Sequence, residues 1–97
     1  VLESDSMSEV ILKDIIDLNS DFLIYSSDFC PYCVAAERYL RGKGLSFTII
    51  DLTNDPQKRF EIVKATNHRT VPVIFDLRNG KPEFIGGFDD LQASELV

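Results

Sequence analysis

Phe22-Leu23-Ile24-Tyr25-Ser26-Ser27-Asp28-Phe29-Cys30-Pro31-Tyr32-Cys33 decides the fold. Its first five residues are rich in strand formers and lack the polar alternation of a half-exposed strand, so they suit a strand buried on both faces. Its last four open a helix. Pro31 fits the first helical turn, where a missing N–H costs nothing. Cys33, Ala36 and Leu40 then fall on one face, and Gly42 or Gly44 ends the helix.

Outward from this stretch the chain alternates. Ser46–Asp51 reads as a second strand, and a crossover of this length makes it a parallel neighbour of the first. Asp55 followed by Pro56 signals another helix, running to about Thr66 with Phe60 and Val63 inward. Val73–Leu77 and Glu83–Ile85 read as antiparallel strands joined around Asn79-Gly80. Gly86-Gly87 breaks that pattern, and Asp89 or Asp90 can cap a last helix through Leu96. Upstream, Met7, Ile11, Ile15 and Leu18 recur at helical spacing and predict a first helix ending near Asn19. The order α-β-α-β-α-β-β-α predicts an α/β fold, a four-stranded mixed sheet with helices on both faces.

Composition sets the limits. The chain has 97 residues, 44% hydrophobic and 27% charged, which is ordinary globular usage. Its longest apolar runs are Phe22–Tyr25 and Val71–Phe75, far below the roughly 20 residues of a membrane helix. No secretory signal is visible. Met7 followed by Ser8 reads as a natural start, which would make residues 1–6 foreign or disordered and 7–97 one domain. Ser6 and Glu9 equally fit a helix-start capping box.

The net charge is -6, and it is unevenly placed. Residues 1–21 carry six acids and one base, whereas Arg38 to Arg69 carry seven bases and three acids. A nucleic-acid binder is expected to be basic overall, and this chain is not. The local positive stretch reads as a solvated face that can also attract a small anion.

Cys30 and Cys33 are the only cysteines. A secreted scaffold stapled by disulfides carries more, widely spaced, so this pair reads as reactive or metal-binding. Zinc wants four ligands, usually as two pairs, and the chain offers no second pair and a single histidine, His68. Cys30 falls at a helix N-terminus, where unpaired N–H groups and the dipole favour a negative sulfur. Cys33 follows one turn later on the same face, so the two sulfurs can close a disulfide and reopen it. Lowering a thiol pKa by three units takes about 4 kcal/mol. A helix terminus supplies at best ~2 kcal/mol. N–H groups of Tyr32 and Cys33, or a nearby cation, must supply the rest. Cys30 is therefore expected to be the nucleophile and Cys33 the resolving thiol.

Tyr25-Ser26 before the motif, Cys30-Pro31-Tyr32-Cys33, Thr70-Val71-Pro72 before a strand, and Gly86-Gly87-Phe88-Asp89-Asp90-Leu91 together resemble the glutaredoxin family. They match in order and spacing from about residue 20 to 92. The resemblance implies a thioredoxin-like fold and the dithiol class. It also implies glutathione as reductant and co-substrate, with no tightly bound cofactor. Cys30 would be the attacking cysteine and Cys33 its partner. Tyr32 would flank the bound glutathione, and Thr70-Val71-Pro72, with a cis Val71–Pro72 bond, would pair Val71's backbone with it. Gly87, Phe88, Asp89 and Asp90 would hold the γ-glutamyl end, and Arg59 the glycine carboxylate.

Two positions depart from the family. A lysine is common where Ser27 stands, so a less ionised Cys30 and weaker glutathione binding are expected unless Arg59 or Arg69 compensates. His68 stands where a polar amide or small residue is often found, and it reads as a loop residue beside the site. The implied activity is reduction of protein disulfides and protein–glutathione mixed disulfides, by a monomer in the cytoplasm, with no nucleic-acid or membrane partner. The alternative is a glutathione-ligated iron–sulfur cluster carrier. The thioredoxin motif differs, with a tryptophan before the first cysteine and Gly-Pro within the pair.

Overall fold

The computed structural model describes residues 9–79 and 82–94. Along them run α1 (Glu9–Ile15), β1 (Phe22–Ser26), α2 (Pro31–Gly42), β2 (Phe47–Asp51), α3 (Pro56–Thr66), β3 (Val73–Asp76), β4 (Glu83–Gly86) and α4 (Phe88–Ala93). The expected order of elements holds. The four strands form one mixed sheet in the order β2-β1-β3-β4. β1 and β2 are parallel, with Ile24 opposite Ile49, while β1–β3 and β3–β4 are antiparallel.

All five β1 residues are buried, because the central strand has helices over both faces. Side-chain alternation divides them. Leu23 and Tyr25 join Ile11, Leu52, Ile62, Val73 and Phe75 beneath α1 and α3. Phe22 and Ile24 join Ala36, Leu40, Ile74 and Leu91 beneath α2 and α4. Each fully buried aliphatic or phenyl side chain contributes about 1.5–3 kcal/mol. The strand's C-terminal end is thereby fixed, and the cysteines follow it directly.

Polar contacts tie the outer layer to this core. The Tyr25 hydroxyl donates to Asp14 Oδ2 at 2.6 Å, and Lys58 Nζ reaches Asp14 Oδ1 at 3.1 Å, linking β1, α1 and α3. Asp76, buried at the end of β3, accepts from Arg78 Nε at 3.0 Å and Arg78 Nη2 at 2.9 Å. Those donors hold its carboxyl below the usual carboxylate range.

Several expectations need correction. α1 ends at Ile15 rather than near Asn19. Leu18 still packs on the core, but from the turn closed by its N–H on the Ile15 carbonyl. In α3 the buried residue is Ile62, while Phe60 is 58% exposed under the Lys64 ammonium and Val63 is half-buried. The inward stripe follows Ile62 and Ala65, and Phe60 lies about 200° around the helix from Ile62. Met7, the Ser6 cap, Gly80 and Leu96 lie outside the described residues. α2 ends as its glycines suggest: Gly44 has φ +75, and the N–H groups of Gly44 and Leu45 bond the Arg41 and Leu40 carbonyls.

Candidate active site

Cys30 is the N-cap of α2, in extended backbone, with Pro31 as the first helical residue. The Cys33 N–H donates to Cys30 Sγ at 3.1 Å. Of the two amides expected to reach this sulfur, Cys33's does so, while Tyr32's is not among its donors. The two sulfurs are joined in a disulfide, with the Cα atoms 5.2 Å apart. Exposure separates the partners. Cys33 is 3% exposed, on the buried face with Ala36 and Leu40, whereas Cys30 is half-buried at the surface. An incoming disulfide can reach Cys30, and Cys33 can reach only Cys30.

The neighbouring backbone is unusual on both sides of the sulfur. Phe29, just before Cys30, has φ +55 and is 99% exposed. A left-handed conformation costs a non-glycine residue about 1–2 kcal/mol. Across from Cys30, the Val71–Pro72 bond is cis, as the resemblance implied. Val71's carbonyl oxygen lies 3.7 Å from Cys30 Sγ.

The last helix start differs from its expected form. Neither Asp89 nor Asp90 is the cap. Gly87 holds that position, its carbonyl accepting the Leu91 N–H at 3.0 Å. Asp90, at the third helical position, reaches back to accept the Gly87 N–H at 2.9 Å. Both acids therefore sit inside the first turn, where the helix dipole favours them. Gly86 makes this return possible. It has φ +122, and a Cβ there would lie 2.7 Å from Asp90 Cγ.

These parts border one groove of about 600 Å³. α2 contributes Tyr32, α3 contributes Arg59, the loop before β3 contributes Thr70, Val71 and Pro72, and α4 with its approach contributes Gly87, Phe88, Asp89 and Asp90. Every residue that the resemblance assigned to glutathione contact lines it. Arg59 is steadied by a 3.5 Å bond from its Nη2 to the Arg69 carbonyl. Arg69 itself is not part of the wall. Tyr32 is 63% exposed and stands at the rim.

His68, expected as a loop residue beside the site, is part of its wall. Its Nε2 lies 3.3 Å from Thr70 Oγ1 and its ring packs edge-on against Phe84. A Cβ at Gly87 would lie 3.4 Å from that same nitrogen. Nothing local in Asn67-His68-Arg69 says that this ring turns toward Gly87, which lies 19 positions away along the chain. Among the described residues, no group of three or more His, Cys, Asp or Glu side chains is placed to hold a metal ion. No helix among them is long and apolar enough to cross a membrane.

Comparison with known proteins follows the same lines. The glutaredoxin family model matches residues 22–81. The chain is 40% identical over 70 residues to glutaredoxin 3 of Escherichia coli strain K12, spanning 72% of this chain and 80% of that one. Among solved structures, wheat glutaredoxin superposes with a TM-score of 0.69 at 31% identity, covering 87% of this chain and 80% of the other. A dithiolic glutaredoxin of Trypanosoma brucei brucei superposes with a TM-score of 0.63 at 38% identity, covering 76% and 75%. The sheet and its flanking helices are thus a thioredoxin-like fold.

Proposed function

The chain belongs to the glutaredoxin family, its Cys30–Cys33 pair makes it a thiol–disulfide oxidoreductase, and from that premise we propose that it works with glutathione. The observation that carries the reading is the placement of Cys30. It stands at a helix N-terminus, opposite Val71's carbonyl, next to a groove with room for a tripeptide.

The groove offers each part of glutathione a partner. Val71's backbone pairs with the cysteinyl residue in extended form. Arg59 meets the glycine carboxylate from α3. The amides that follow Gly87 take the γ-glutamyl carboxylate. Asp89 and Asp90 face the α-ammonium, although Asp90 is already engaged with the Gly87 N–H. Thr70 and Pro72 hold Val71 in place, and Tyr32 and Phe88 close the two ends.

With a protein–glutathione mixed disulfide, the Cys30 thiolate attacks the glutathione sulfur. The protein leaves as a thiolate, takes up a proton, and glutathione remains bonded to Cys30. A second glutathione thiolate attacks that bond, releasing glutathione disulfide and restoring Cys30. With a protein disulfide, Cys30 forms a mixed disulfide with one sulfur and releases the other. Cys33, losing its proton, then attacks Cys30 and frees the second substrate thiolate. The enzyme is left with the Cys30–Cys33 disulfide, and two glutathione molecules reduce it. A pair that closes on itself favours this chemistry over a cluster carrier, which needs the Cys30 sulfur free. A 38% identical relative is itself described as dithiolic.

The test is glutathione-dependent reduction of a small mixed disulfide and of a protein disulfide by three proteins. The parent is expected to reduce both substrates and Cys30→Ser neither. Cys33→Ser should retain the first reaction and lose the second. Loss of both in Cys33→Ser would overturn the division of labour. A parent indifferent to glutathione would overturn the proposal.

A further inference from the structure

Cys30 borders a second hollow. This one is a shallow, solvent-open depression of about 510 Å³ and shares no wall residue with the groove described above. Ser27, Asp28, Phe29, Val34 and Glu37 line it beside Cys30. It is apolar at Phe29 and Val34, both exposed, and acidic at Asp28 and Glu37. No lysine or arginine occurs in residues 26–37.

The adjoining loop brings no base to it. Asp51 and Asp55 flank a stretch with no base in residues 51–55. The Asp28 N–H donates to Thr53 Oγ1 at 2.8 Å, which fastens this loop beside the hollow. Lys58 is paired with Asp14 at 3.1 Å, and Arg38 is not part of the wall. The departure at Ser27 now has a counterpart. Where relatives commonly place a lysine, this chain has a neutral hydroxyl next to an acid.

We propose that this hollow docks the polypeptide bearing the oxidised cysteine, and that it selects a segment with Lys or Arg beside that cysteine and an apolar side chain for Phe29 and Val34. The inference rests on the oxidoreductase reading above and names its protein substrate class. A glutathionylated cysteine has two arms joined at one disulfide. Glutathione lies in the first groove, the polypeptide in the second, and Cys30 between them. The covalent step is the one already balanced: Cys30 bonds the glutathione sulfur, and the polypeptide thiolate departs into the acidic hollow. A basic flanking residue both binds there and shields the departing sulfur from Asp28 and Glu37. An acidic segment is repelled.

The test uses three peptides of equal length, each with one glutathionylated cysteine. One flanks it with Lys and Leu, one with Glu and Leu, one with Lys and Ser. A small glutathione mixed disulfide serves as reference. The parent should prefer the Lys-Leu peptide over the Glu-Leu peptide by roughly fivefold in kcat/KM at low salt. The preference should shrink in about 1 M salt, where the screening length is about 3 Å. Asp28→Asn with Glu37→Gln should bring the ratio of the two peptides near one. Because a ratio is read, any effect of these charges on Cys30's own ionisation cancels. Phe29→Ser should erase the advantage of Leu over Ser. Equal turnover of the Lys-Leu and Glu-Leu peptides by a parent that reduces the reference would overturn this inference alone. Failure to reduce even the reference would overturn the reading beneath it as well.

Discussion

Cys30 caps α2 in the same way that Asp55 caps α3. Each is followed by a proline at the first helical position. Each accepts the N–H three residues on, Cys33 to Cys30 Sγ at 3.1 Å and Lys58 to Asp55 Oδ1 at 3.0 Å. The third helical residue also acts in both. Cys33 supplies the sulfur that closes on Cys30, and Lys58 reaches Asp14 and ties α3 to α1. One local device thus serves architecture with oxygen and chemistry with sulfur. A capping position already favours negative charge. A thiol placed there gains that preference, and unlike a carboxylate it can form and break a disulfide at the same atom.

Exchanging the atoms tests the parallel most severely. Cys30→Asp keeps an acceptor and a negative charge on α2. Turnover of every disulfide substrate should vanish, while chemical denaturation under reducing conditions should show stability within about 0.5 kcal/mol of the reduced parent. A large loss of stability would mean that the two caps are not equivalent.

The next largest effect concerns the anchor that Lys58 shares. Tyr25→Phe removes the hydroxyl bonded to Asp14 and should cost about 1.5–3 kcal/mol at neutral pH, read by urea denaturation. Burial, and then the bond to Asp14, pushes the Tyr25 hydroxyl far above its ordinary value of 10.0. It stays protonated in the folded chain while an unfolded tyrosine ionises. Its contribution is therefore whole below about pH 10 and declines as pH rises further. The parent should lose stability above pH 10 more steeply than Tyr25→Phe. Parallel curves would remove this group from the account.

The smallest expected change is at the architectural cap. Asp55→Ala should lower stability by about 1 kcal/mol and leave kcat/KM for a small mixed disulfide unaltered. A fall in turnover that exceeded the fall in folded population would show that α3 is more than a support for the site.

Much of this was legible because the informative residues act locally. The β1 run, the Cys-Pro and Asp-Pro helix starts and the glycines at the end of α2 each specify their own stretch of backbone. The residues that the resemblance assigned to glutathione contact all line a single groove. What was misread depends on packing. Phe60 has the size of a core residue, but α3 turns Ile62 to the sheet. Asp89 and Asp90 have the chemistry of caps, but the return of Gly86 makes Gly87 the cap. His68 has no neighbour in sequence that announces a place in the groove. The acidic hollow is walled by residues 26–37 alone, but only the fold of the loop between β1 and α2 turns their side chains around one depression beside Cys30.

From the amino acids alone came the order of elements, the strand buried on both faces and the reactive role of the cysteine pair, because period, capping and spacing are properties of short stretches. Tertiary structure decided which cysteine meets solvent, which face of α3 is inward, and what surrounds the sulfur on each side. Those outcomes depend on segments distant along the chain being pressed together. Only the assembled sheet and its two helical layers determine which segments meet.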